Sequence, residues 1–150
     1  MATVTSIRDA ISTQLLAIDD VDYASTDNFL PSIQTVKVAA LTLAFDLETS
    51  SIVKSQISSA GTLIFHVHRI RTEFWVKHVQ GSESATMDYA VDIGRQAINQ
   101  LVANDGTGYE IHIPSTFEFQ VDQAMVQETA HPWLVCSLVT PVQDIECVIP

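Results

Sequence analysis

At 150 residues the chain fits one domain, 1–150, long enough to bury a core of its own. Hydrophobic residues make up 47% and charged ones only 17%, below the ~25% usual for globular chains, which leaves neutral and apolar area for contact with other subunits. The net charge of −11 excludes a surface built to grip nucleic acid, and no stretch approaches the roughly 18 apolar residues of a membrane-spanning helix.

A first helix is expected over 6–18. Thr5 or Ser6 can cap it, Asp9 lies in its first turn, and Ile7, Ile11, Leu15 and Ile18 share one face. Asp19 to Pro31 is acidic and turn-rich and reads as a loop. Ile33 to Leu47 reads as a strand whose alternation changes parity near residue 40. The Ser/Thr-rich stretch 46–61 reads as a mobile loop that a neighbouring molecule would order.

Thr62 to Val79 is the clearest strand. Leu63, Phe65 and Val67 share one parity, and Thr72, Phe74 and Val76 take the other. That switch predicts a bulge near His68 and Arg69, or a strand that leaves one layer and continues elsewhere. At ~3.3 Å per residue such a strand outruns a small domain, so part of it projects or bends.

A second helix is expected over 85–103, on the stripe Met87, Ala90, Val91, Gly94, Ala97, Ile98 and Leu101. Gly94 in that stripe predicts close packing against a sheet, and Gly106 is a natural stop. Tyr109, Ile111, Ile113, Phe117, Phe119 and Val121 alternate with polar residues, predicting half-exposed strands over 109–122 with a break at Pro114. Trp133 to Val142 reads as a last strand and 143–150 as a short tail. The fold class is therefore α+β: a mainly antiparallel sheet, two amphipathic helices on one face, and one long projecting strand or hairpin.

Few residues carry recognisable chemistry. His66 and His68 lie on one strand face, but a zinc site needs three or four ligands, and His78, His112 and His131 have no aligned spacing, so no metal is expected. Glu110, Glu118 and Asp122 share a parity that reads as a solvated face rather than an acid–base pair. Ser137 lacks the GxSxG setting of a nucleophile, and no glycine-rich phosphate loop is present. Cys136 and Cys147 show no paired spacing, and the first residues show no basic, then apolar, leader pattern. We expect no catalytic residue, metal or cofactor.

Charge placement is more informative. Residues 1–77 hold six of the seven basic residues and eight acids, whereas residues 78–150 hold Arg95 alone against ten acids. Arg69, Arg71 and Lys77, with Glu73 between them, form the one concentrated basic strip, a candidate interface with an acidic neighbour. A plain solvated strand face would have the same composition.

In their order these elements resemble the tail-terminator and tail-completion proteins of tailed bacteriophages, the minor-tail-protein-U-like group. The resemblance rests on the helix Ser6 to Ile18, the segment Phe29 to Ile33 with its Pro31, the strand Thr62 to His68 and the helix Met87 to Ile98. It is a likeness of pattern over most of the chain, and stretches 49–61 and 143–150 have no counterpart. It implies a homo-hexameric ring that caps the head-proximal end of the tail tube and joins it to the head–tail connector or a head-completion protein. DNA would pass through the centre without specific binding, and the protein would lie in the virion tail or neck after assembly in the host cytoplasm. Acidic walls suit such a passage because like charges repel. Which residues line the channel is unknown from sequence. The alternatives are a head-completion or neck protein of the same virion class, or a small α+β ligand-binding domain or enzyme with a pocket between helix and sheet.

Overall fold

The computed structural model describes residues 3–26, 37–55, 61–77, 83–126 and 133–148. Two helices and five strands follow in the order α1 (Val4–Leu16), β1 (Tyr23–Ser25), β2 (Val38–Ser55), β3 (Gly61–Lys77), α2 (Glu83–Ala103), β4 (Glu118–Val126) and β5 (Trp133–Val148). They build one sheet in the order β1-β2-β3-β5-β4. Only the β1–β2 pair is parallel, so the sheet is mixed but mostly antiparallel and the class is α+β.

Both helices lie on one sheet face. Ile7, Ile11 and Leu15 of α1, with Ala90, Ile93, Ala97 and Leu101 of α2, pack on the even-numbered residues Ile70, Phe74 and Val76 of β3 and Leu134, Cys136 and Leu138 of β5. Antiparallel register explains the shared parity: Phe74 faces Cys136 and Thr72 faces Leu138 across the ladder. Burying such side chains contributes roughly 1.5–3 kcal/mol each.

Several local details depart from the sequence reading. The cap of α1 is Thr3, whose hydroxyl accepts from the Ser6 amide at 3.1 Å, so the helix begins two residues earlier than expected and closes at Leu16. The acidic loop after it contains β1, anchored by Asp22, whose carboxylate accepts from the Lys37 amide at 2.7 Å. The start of the strand expected from Ile33 lies outside the described residues through position 36.

The loop expected over 46–61 is a correction. Residues 46–55 continue β2, paired with β3 down to Ser55 opposite Gly61, and 56–60 lie outside the described residues. Serine and threonine there are compatible with a pleated ladder, and the backbone hydrogen bonds come from β3. The irregularity expected on β3 near His68 and Arg69 lies on its partner instead. Register shifts fall between Ala44 and Asp46 and between Thr49 and Ser51 of β2, while β3 runs along β5 without a shift. Phe45 and Ser50 are therefore the extra residues.

The expected tail 143–150 is also corrected, because β5 continues to Val148 opposite Thr62. The strands expected over 109–122 reduce to β4. Before it, Ile111 makes one isolated bridge to Val142, and Ser115 N–H donates to the His112 carbonyl in a turn that leaves Ile113 86% exposed.

β2, β3 and β5 thus form a three-stranded ribbon about 55 Å long at ~3.3 Å per residue. The helix-packed core stops near Ile70 and Val142. Beyond it, residues 62–66 of β3 are half-buried at every position, so neither face is fully covered. This is the projecting element the strand length implied, built of three strands rather than one strand or a hairpin.

Candidate interaction surface

The odd-numbered residues of β3 and β5 point to the face without helices. Register places Arg69 beside Pro141, Arg71 between Leu43 and Val139, Glu73 between Leu41 and Ser137, and Lys77 beside Trp133. The four residues of the predicted strip, Arg69, Arg71, Glu73 and Lys77, therefore share one face, as period-2 geometry requires. All four are half-buried.

Within the chain the strip is partly neutralised. Arg69 contacts Glu118 on β4 at 2.8 Å, and Arg71 lies 3.7 Å from Glu73. The Glu118 side chain is 58% exposed, so this is a surface ion pair of the kind that contributes ~0.2–1 kcal/mol. Glu118 was read from sequence as a solvated carboxylate, and its pairing with Arg69 across β5 was not visible there.

At the root of the same face Trp133 and Ala39 are buried and pack with Tyr23 and Trp75. At the ribbon end Leu63, Phe65 and Val67 of β3 stand in register with Cys147, Ile145 and Gln143 of β5. Ile145 is 43% exposed. The surface thus runs from an aromatic cluster, through paired charges, to a half-covered apolar ribbon. An apolar surface with a charged centre, on a ribbon that extends past its own core, has the make-up of a candidate association surface. The aromatic end was missed because Trp75 and Trp133 are far apart in sequence, although Trp75 has the parity of the strip.

The opposite, helix-bearing face of the ribbon carries the histidines. His66 Nε2 lies 3.1 Å from Glu146, and the His66 and His68 rings are 6.5 Å apart. His68 is buried at 7% exposure, and among the described residues its Nε2 has no hydrogen-bond partner. Burial lowers its pKa from the usual 6.5, Asp144 opposes that shift and His66 adds to it. Among the described residues no three His, Cys, Asp or Glu side chains gather as a metal site. His112 bonds Ser115 at 2.7 Å, and His78 and His131 lie outside the described residues.

Other sequence candidates separate. Ser137 is buried with register neighbours Glu73 and Gln120 rather than a histidine. Glu110 lies by an open cleft of about 350 Å³ with Tyr109, Val142 and Asp144, away from the Arg69–Glu118 pair. The Asp122 side chain lies outside the described ones. Cys136 is buried, and its thiol is directed at the Phe74 carbonyl at 3.7 Å. No described helix is long and apolar enough to cross a membrane. In comparison with known proteins, no family model and no curated protein matches the chain.

Proposed function

We propose that the chain is a structural virion protein: a ring-forming tail terminator that caps the head-proximal end of a tail tube and joins it to the head–tail connector. The observation that carries this reading is the three-stranded ribbon, which extends beyond the helix layer with apolar residues half-covered on both faces. A ribbon of that kind gains stability when a neighbour covers it, and head-to-tail contacts between copies close into rings. Acid placement supports a channel. Asp88, Asp92, Asp105 and Glu110 are all exposed, and a ring that turns them inward would present carboxylates to passing DNA and repel it. The proposed partners are further copies of the chain, six in all on the family resemblance, the tail tube protein and the connector or head-completion protein.

The runner-up is a head-completion or neck protein of the same virion class, which needs the same ribbon contacts. Antibody labelling of intact particles in the electron microscope separates the two. Label at the junction of tube and connector supports the terminator. Label only on the head side of that junction supports the neck reading, and label on neither contradicts both.

A further inference from the structure

His68 sits where the helix-packed core gives way to the bare ribbon. Its register neighbours are Leu47 on β2 and Val142 on β5, and the next core residue on its strand is Ile70. The residue is 7% exposed, and its Nε2 makes no hydrogen bond among the described residues. A buried polar atom without a partner is costly, and a charge at that atom more so.

The charged groups around it are few. On its own strand His66 is held by Glu146 of β5, and Asp144 of β5 is the carboxylate nearest in effect to His68. The β2 register partners of His68 and His66 on this face, Leu47 and Thr49, are uncharged residue types. From the loop after α2, Glu110 shares the cleft with Asp144. Arg69 and Arg71 are on the other face. A proton added at Nε2 creates an N–H donor with no acceptor in place among the described residues, beside a second histidine.

We propose that His68 makes the junction between core and ribbon acid-sensitive: taking up a proton there opens the ribbon strands while the helix-packed core stays folded. The sign follows from linkage. The folded ribbon disfavours the proton and the opened ribbon accepts it near 6.5, so closure is at full strength above that pH. Closure weakens as pH falls below 6.5, by at most about tenfold in the opening equilibrium per pH unit for one proton. Asp144 sets the limit, because an imidazolium that turns toward it regains a partner.

The test is amide exchange of the full chain between pH 8 and pH 5, corrected for intrinsic rates and read separately on peptides from 62–69, 142–148 and α2. The expected result is faster exchange in both ribbon peptides below pH 6.5 with α2 unchanged, abolished in His68→Gln and His68→Leu and retained in His66→Gln. Acid opening that survives in the His68 variants, disappears in His66→Gln, extends to α2, or never occurs overturns the proposal. If the His68 variants do not fold at pH 8, histidine Cε1 resonances of the unaltered chain decide. A His68 signal that titrates together with ribbon opening supports the proposal, and one that does not overturns it.

Discussion

Tyr109 fastens the end of α2 with a single bond: its hydroxyl donates to the Leu101 carbonyl at 2.5 Å, satisfying one of the carbonyls a helix end leaves open. Tyr109→Phe strands that carbonyl, and the expected cost is about 1–3 kcal/mol in a urea titration. Burial first, then the nearby Asp105 charge, pushes the phenol up to about 12 from 10.0. Its contribution is therefore complete below pH 10.0 and is lost as pH rises through about 12. Alkaline unfolding followed by phenolate absorbance should show that slope in the native chain and a shallower one in Tyr109→Phe, where Tyr89, also raised by burial, still contributes. Gly94 is the other residue with little latitude, because a Cβ there would lie 2.6 Å from the Phe119 ring. Gly94→Ala should destabilise by about 1–3 kcal/mol, and Phe119→Leu in the same chain should recover part of it. A neutral Gly94→Ala would mean that the α2–β4 contact is loose.

The two helices show how far the sequence pattern reaches. Existence and approximate span were legible, since α1 and α2 follow their apolar periods. The buried arc of α2 was read with a rotation. Thr86, Ala90, Ile93, Ala97 and Leu101 face the sheet, whereas Met87, Val91 and Val102 are 46%, 43% and 52% exposed. The helix carries more apolar arc than the sheet covers, and periodicity alone does not say which part is in contact. Ile93→Ala and Leu101→Ala should each cost about 2–5 kcal/mol. Met87→Ala, on the exposed side, should stay within about 0.5 kcal/mol by the same denaturant titration. Equal effects would put the helix in the wrong rotation. The strip Arg69, Arg71, Glu73 and Lys77 was legible because strand parity alone places it on one face. Residues 46–55 and 143–148 were not, because their strand state depends on β3, a partner that local composition does not reveal.

For the whole molecule the question is what covers the ribbon and its helix-free face. Arg69 and Arg71 pair within the chain in the single copy, and ion pairs open to solvent on at least one side are weak enough to exchange for contacts with a neighbour. Reversing both, Arg69→Glu with Arg71→Glu, should weaken self-association, and added salt should imitate part of that loss in the unaltered chain. Unchanged association at low salt would make the strip an ordinary wet strand face. The central claim, that copies of this chain cover one another's ribbons in a closed ring around an acidic channel, has one direct measurement: native mass together with electron microscopy of the purified chain. The account predicts a ring, six-fold on the family resemblance, with an axial pore lined by carboxylates. A monomer at assembly concentration, or a closed assembly whose pore is lined mainly by lysine and arginine, would contradict it.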